Sequence, residues 1–398
     1  MCPTSSCDVL ILGAGPAGSA AAKLLVDSGH QVVIVDQRAF PRDKVCGDGL
    51  ISDALGALMI LGADDTVLRE AFRGDELRVY APAGHHVSVS GEFACLPRAR
   101  LDALLLDSAT AAGARFSVAT AIAPLLNDNR IAGARLRCED GEVDVAARFT
   151  ILATGSNVTV LEAFGLSAPP KPDAVAGRAY YQATPDVAAQ VRHLSIAFDR
   201  RWCPGYGWVF PGPDNRFNIG VGLFGREGEH GRLREYFDEF CRTFPIAAMI
   251  LKSATPVGEF RGAPMRNGLQ QAQFGRPGLL AAGEAIAATY AATGEGIGKA
   301  MESGLMAAVL ISETLMGERS ADGVEQFYEY EFRRRFGSRY HAYQVGQHWA
   351  GKAWMLNLLA RRANAGRFVR SELEALLAER GDASGLLSWS GLFRALVS

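Results

Sequence analysis

Asp8-Val9-Leu10-Ile11-Leu12-Gly13-Ala14-Gly15-Pro16-Ala17-Gly18 decides how the N-terminal part of this chain folds. The β-branched and aliphatic run reads as a strand, the glycine cluster as a tight turn, and the alanine-rich stretch to Ser28 as a helix. The spacing has a mechanical reason. Gly13 makes the turn, Gly15 lets backbone approach a pyrophosphate, and Gly18 lets the helix pack on the strand, with Ala17 placed beside the phosphates at the helix start. A helix N-terminus facing the phosphates favours their charge. A second strand, Gln31-Val32-Val33-Ile34-Val35, ends at Asp36, where an acid accepts hydrogen bonds from the adenosine ribose hydroxyls, and Gln37 follows as a further contact. The motif leaves open whether the dinucleotide is NAD or FAD.

Bulk properties narrow the class. At 398 residues the chain is long enough for two domains, at roughly 100–200 residues each, plus a helical tail. Hydrophobic residues make up 48% and charged residues 21%, an ordinary balance for a globular protein, and a net charge of −2 with interspersed signs gives no footprint for nucleic acid. The seven cysteines are scattered without a C-x-x-C pair, and the histidines show no H-E-x-x-H spacing, so no metal is expected. The short polar stretch before Asp8 lacks an export signal, and the longest apolar runs are strand-sized. A cytoplasmic protein without a transmembrane segment is the expectation.

Three further segments decide the cofactor. Phe40-Pro41-Arg42-Asp43-Lys44-Val45-Cys46-Gly47-Asp48-Gly49-Leu50 resembles the K-x-C-G-D/G-G-L element of the geranylgeranyl reductase-like branch of the FAD-dependent monooxygenase superfamily, which has the group A flavoprotein monooxygenase fold. Leu96-Pro97-Arg98-Ala99-Arg100-Leu101-Asp102 resembles the family's R-x-x-x-D helix start, and Leu279-Leu280-Ala281-Ala282-Gly283-Glu284-Ala285 with Thr293-Gly294-Glu295-Gly296-Ile297 resembles its second FAD motif. The resemblance spans most of residues 8–310. It implies FAD as cofactor, with Cys46 and Gly47 near the isoalloxazine, Arg98 reaching the cofactor (Arg100 being the solvated alternative), and Gly283, Glu284, Gly294, Gly296 and Ile297 along the ribityl chain and pyrimidine end. Cys46 either modulates the flavin or packs as a small buried thiol. Glu284 stands where the family usually has Asp, and Tyr290-Ala291 where it usually has Asn-Pro; a phenol there is a candidate substrate contact.

The expected fold class is α/β: a Rossmann-like FAD-binding domain (1–75, 92–158 and 275–320), an antiparallel sheet as substrate domain (76–91 and 159–274) and a helical C-terminal region (321–398). Ile131–Cys138 and Glu142–Val145 read as a hairpin about Asp140-Gly141. Cys203-Pro204-Gly205-Tyr206-Gly207-Trp208-Val209-Phe210-Pro211 resembles the family's P-G-Y-x-W-x-F-P signature. Tyr206, Trp208 and Phe210 alternate along a strand and share one face, and the glycines at 220 and 222 leave room beside them. They form either a substrate wall or ordinary sheet core. The tail, with Arg333-Arg334-Arg335, Arg361-Arg362, Trp349, Trp354 and Trp389, closes the site, binds a partner, touches lipid, or presents solvated faces.

No second glycine motif after a strand is evident, so electrons come from a transiently bound NAD(P)H or another protein. Three functions follow. The first is a flavin monooxygenase hydroxylating an aromatic or electron-rich substrate, even a tryptophan within a partner polypeptide, with Cys46, Tyr206, Trp208 and Tyr290 in the reaction cavity. The second is a reductase of prenyl C=C bonds, the third a flavin-binding maturation partner without turnover.

Overall fold

Val9, Leu10, Ile11 and Leu12 follow one another without a polar residue and all four are buried, the pattern of a strand covered on both faces. In the computed structural model, which describes residues 3–167, 172, 174–225, 231–269, 271–380 and 385–397, the strand Ser6–Leu12 lies at the centre of a sheet. It pairs in parallel with Val32–Asp36 on one side and Gly141–Leu152 on the other. Arg115–Val118 and Leu279–Ala281 extend the sheet outward, also in parallel. The hairpin about Asp140-Gly141 joins Arg130–Cys138 to Gly141–Leu152.

The glycines are demanded by close backbone approach. Gly13 has φ of +107°, and a Cβ there would lie 2.3 Å from the Ala153 carbonyl oxygen. A Cβ on Gly18 would lie 1.9 Å from the Gly13 oxygen. The helix Pro16–Asp27 then packs against the long helix Ile297–Leu315, where a Cβ on Gly304 would stand 2.1 Å from the Ala17 oxygen. Sequence segments nearly three hundred residues apart are thereby pressed backbone to backbone.

A second sheet runs in the order Thr255–Met265, Ala174–Gln182, Arg216–Phe224, Tyr206–Pro211, Leu194–Phe198, Phe72–Tyr80, His86–Cys95, Gly49–Leu50. Its pairings are antiparallel except between Leu194–Phe198 and Phe72–Tyr80. One face is covered by the helices Leu233–Thr243 and Pro245–Leu251; Phe240 lies on Gly207, whose Cβ would meet its ring at 2.4 Å. The sheet takes more of the N-terminal sequence than the expected 76–91, because pairing runs from Phe72 opposite Cys95 to Tyr80 opposite His86 and then adds Gly49 opposite Cys95. That last pair anchors the Cys46–Gly49 loop to the second sheet.

The helical tail is not an appendage throughout. Val324–Ala350 buries Tyr328, Phe332, Phe336, Tyr340 and Tyr343 in the core of the first sheet. Beneath it, the fully buried Lys299 ammonium meets Asp53 Oδ2 at 3.4 Å, Glu379 Oε2 at 3.2 Å, and Glu302. Arg339 Nε reaches the same Glu379 oxygen at 3.4 Å. Burial works against the charge on Lys299, but these carboxylates hold its ammonium above the usual lysine range. Gly298 is glycine because the Asp53 carboxylate fills the place of its Cβ.

This cluster clamps the segment after Leu377 to the start of the Ile297 helix. Lys299→Met, close in length but uncharged, removes the cation shared by Asp53 and Glu302 and leaves Glu379 with Arg339 alone, and it lowers unfolding stability by about 3–5 kcal/mol. Urea denaturation checks this; a loss below about 1 kcal/mol means the cluster holds nothing together.

Candidate active site

The turn between Ser6–Leu12 and Pro16–Asp27 is the first wall of the site. Gly13 and Gly18 have reasons inside the protein for lacking a side chain, whereas a Cβ on Gly15 would find only Arg42 Nη2, at 3.8 Å. Space held open at this position is what a ligand's backbone approach requires. Asp36 accepts hydrogen bonds from Ala14 N at 3.0 Å, Arg38 N at 3.2 Å and Arg42 Nη2 at 3.1 Å. Arg42 Nε is buried with no hydrogen-bond partner among the described residues, so a donor stands beside the turn with capacity left. A pyrophosphate and an adenosine ribose fit these groups, with Arg42 as a cation that the motif reading had not singled out. Its only sequence signal was its place in the loop before Lys44.

Arg98 occupies the first position of the helix Arg98–Ala112 and forks onto Asp102 one turn on, at 2.6 and 2.9 Å. Asp102 also lies 3.6 Å from Arg42 Nη1. The guanidinium is therefore held in a buried chain running Asp36, Arg42, Asp102, Arg98, the last beside Cys46. Gln37 is exposed, and Ala17 lies against Gly283 and Gly304, so its smallness serves helix packing.

The second wall comes from residues 283–297. Gly283 has φ of +69° and donates its N–H to Ser303 Oγ at 2.8 Å. Glu284 Oε2 meets Lys44 Nζ at 3.1 Å, and both approach the Cβ position of Gly155. The longer acid is accommodated by a lysine from the opposite loop, a pairing across 240 residues that no local spacing announces. Gly294 has φ of +68°, and Gly296 gives way to Thr289 Oγ1, whose distance to a Cβ there would be 2.6 Å. Ile297 opens the long helix, whose first N–H groups have no intrahelical acceptor and are oriented for a carbonyl or an anionic ring edge.

The third wall is the inner face of the second sheet. Tyr206, Trp208 and Phe210 do share a face, with ring centroids 6.2 and 6.4 Å apart, and Phe224 stacks on Tyr206 at 5.7 Å. Gly220 makes room for Trp208, whose ring would lie 2.2 Å from a Cβ there. Gly47 and Gly49 approach Phe210, and Gly47 also approaches Trp208 Nε1. Tyr206 donates its hydroxyl to the Thr293 carbonyl, which ties the wall to the second motif. Cys46, Gly47, Tyr206, Trp208 and Gly294 are thus brought together.

Tyr290 is not brought to this wall. Its ring is fully buried, stacked on Tyr343 at 4.4 Å and set against Tyr340 at 4.7 Å, so it is a packing residue beneath the tail helix. The expectation that it faces substrate alongside Trp208 is corrected: Tyr290 forms an aromatic stack with Tyr340 and Tyr343 of the tail helix.

Sequence reading also missed a network. Asp48, buried and with φ of +66°, accepts from Tyr180 Oη at 2.6 Å, Asn218 Nδ2 at 2.7 Å and Arg98 N at 3.2 Å. Asn218 also donates to the Cys46 carbonyl at 2.8 Å and accepts from Trp208 Nε1 at 2.9 Å. One amide thus fixes the Trp208 ring and the Cys46–Asp48 loop together. Burial pushes the Asp48 carboxyl up to about 6, against the lowering by Tyr180 and Asn218. Burial also raises the thiol of Cys46 and the phenol of Tyr206, so both carry their protons at neutral pH.

Two predictions follow from this geometry. Gly15→Val folds with near-native thermal stability but loses FAD, read as the flavin-to-protein absorbance ratio, whereas Gly18→Ala loses the fold itself; a fully yellow Gly15→Val sinks the assignment. Asp48 has a folded pKa above its unfolded value, so its contribution to stability is complete below about pH 4 and disappears as pH rises through about 6. Unfolding midpoints measured from pH 4 to 7 show this dependence, and Asp48→Asn flattens it.

Comparison with known proteins identifies the architecture. The family described as "FAD binding domain" matches residues 6–339. Digeranylgeranylglycerophospholipid reductase 1 of Methanopyrus kandleri is 31% identical over 336 residues, covering 83% of this chain and 88% of that protein. Menaquinone reductase of Mycolicibacterium smegmatis is 29% identical over 323 residues, 77% of this chain and 76% of its own length. The crystal structure of a geranylgeranyl bacteriochlorophyll reductase-like protein from Thermoplasma acidophilum superposes with a TM-score of 0.80 at 22% identity, covering 99% of this chain and 96% of that one. With a three-walled site fitted to the dinucleotide, the chain belongs to the FAD-binding-domain family, in its geranylgeranyl reductase-like branch, and is an FAD-dependent oxidoreductase.

Proposed function

We propose that this flavoprotein saturates isolated C=C bonds of a prenyl chain carried by a lipid or quinone. The observation that carries the reading is the wall of Tyr206, Trp208 and Phe210 lying between the Cys46–Gly49 loop and the Thr293–Gly294 turn. The polar groups at its edge satisfy one another: Trp208 Nε1 binds Asn218, Asn218 binds Cys46 and Asp48, and Tyr206 binds Thr293. Tyr206 and Trp208 are buried and Phe210 half-buried, so the groups a substrate would meet here are aromatic rings, which suit an apolar chain. The reductases named above support an alkene over the hydroxylation that the aromatic stripe also suggested.

FAD, when bound and reduced, supplies a hydride, with NAD(P)H or a protein donor as the source of electrons. Saturation adds that hydride to one alkene carbon and a proton to the other. In this reading Gly15, Asp36 and Arg42 bind the pyrophosphate and adenosine ribose, while Lys44 and Glu284 flank the ribityl chain. Trp208 and Phe210 hold the prenyl chain, and Asn218 and Asp48 keep Trp208 from turning. Tyr206 Oη holds the proton to be delivered: its phenol is neutral and sits at the junction of wall and motif, and it turns from the Thr293 carbonyl to the alkene carbon, the phenolate then taking a proton from water.

The test is anaerobic mixing of reduced holoprotein with a geranylgeranyl lipid. The lipid gains two hydrogens per double bond as the flavin reoxidises. Product that appears only with oxygen and carries an added oxygen atom refutes the reductase. Tyr206→Phe keeps its FAD and slows the reaction by about 10²-fold or more, and an unchanged rate removes Tyr206 as the acid.

A further inference from the structure

We infer that the helix Ala353–Ala365 is a docking surface for an anionic lipid bilayer. This rests on the prenyl-lipid reading in one respect, since a substrate held in a bilayer has to be reached from its surface. The orientation of the helix is set by its inner face. Asn357 Oδ1 accepts from Ala83 N and Asn364 Nδ2 donates to His86 O, both at 2.9 Å, which fixes that face on the hairpin between Phe72–Tyr80 and His86–Cys95. Ala360 and Ala363 are buried against Ala81, Val87 and Val89 of that hairpin, while Met355 is buried against Trp349.

The opposite face is consequently turned outward, and it carries Trp354, Leu358 and Arg361 at helical spacing with Arg362 beside them. Trp354 is 61% exposed, a large indole presented to solvent beside cations. An aromatic ring with flanking guanidinium groups is the composition of a helix that lies in the headgroup region of a bilayer.

Charge commits the occupant. Between Glu331 and Glu372 the sequence has no carboxylate, while Lys352, Arg361, Arg362, Arg367 and Arg370 fall in its last part. Arg361, Arg367 and Arg370 are exposed. The neighbouring helix Trp389–Val397, packed on the first, adds Phe393, which is 66% exposed, beside the exposed Arg394. No helix among the described residues is long and apolar enough to cross a membrane, so the contact is peripheral.

Vesicle flotation of the FAD-loaded protein tests the surface. Vesicles of phosphatidylcholine with phosphatidylglycerol, containing no prenyl lipid, carry the protein upward at low salt; vesicles of phosphatidylcholine alone do not. Arg361→Glu with Arg362→Glu, and separately Trp354→Ser, lower the bound fraction by about tenfold or more. Both variants retain FAD, melting temperature and turnover of detergent-dispersed substrate, because neither touches the reaction cavity. Equal flotation with neutral vesicles, or unchanged flotation of the charge-reversed protein, overturns the inference. A concentration-dependent dimer lost in Trp354→Ser, without vesicle binding, assigns the face to a second copy and also overturns it. Since binding is scored without an alkene, failure of the reductase reading leaves this result standing, and the converse holds.

Discussion

The structure depends on the close approach of the helices Pro16–Asp27 and Ile297–Leu315. Their contact at Ala17 and Gly304 leaves no space for a Cβ, so the two cofactor motifs are fastened by backbone packing before any ligand enters. Dispersion and exclusion of water at such a contact are individually small, but they act along the crossing and tolerate no enlargement. Gly283 joins at the same place, packed on Ala17 and Ala300. The turn that should receive the pyrophosphate and the turn that should receive the flavin are thus positioned by one steric constraint.

On that frame the second sheet brings chemistry by a different route. The strand Gly49–Leu50 carries the Cys46–Gly49 loop to its edge, and the Asp48–Asn218–Trp208 network locks loop and wall together. Burying a carboxylate costs free energy unless hydrogen bonds compensate, and here a phenol, an amide and a backbone N–H offset only part of that cost. The result is a polar scaffold that holds the aromatic wall in place, the feature on which the prenyl-chain proposal rests.

Much of this was legible from the sequence where the determining contacts are local. The strand–turn–helix at Asp8–Gly18, the acid at Asp36 and the alternation of Tyr206, Trp208 and Phe210 follow from spacing within a short window, whereas the glycines of 283–297 come from the family resemblance. What was not legible depends on pairs distant in the chain. Lys44 with Glu284, Tyr180 and Asn218 with Asp48, and Lys299 with Glu379 are separated by 240, 132, 170 and 80 residues, so only the folded topology discloses them. Tyr290 was misplaced for the same reason, because its partners Tyr340 and Tyr343 belong to a helix in which the family resemblance fades.

The central claim is that one apolar cavity, walled by Tyr206, Trp208 and Phe210, holds flavin and prenyl chain together. An experimental structure of the protein with FAD and a non-hydrolysable prenyl lipid analogue tests it most directly. The account requires the isoalloxazine between the Cys46–Gly49 loop and the 293–297 turn, with an alkene of the chain over the ring and its far side toward Tyr206 Oη. A prenyl chain bound elsewhere, or a cavity filled by the protein's own side chains with FAD in place, contradicts it.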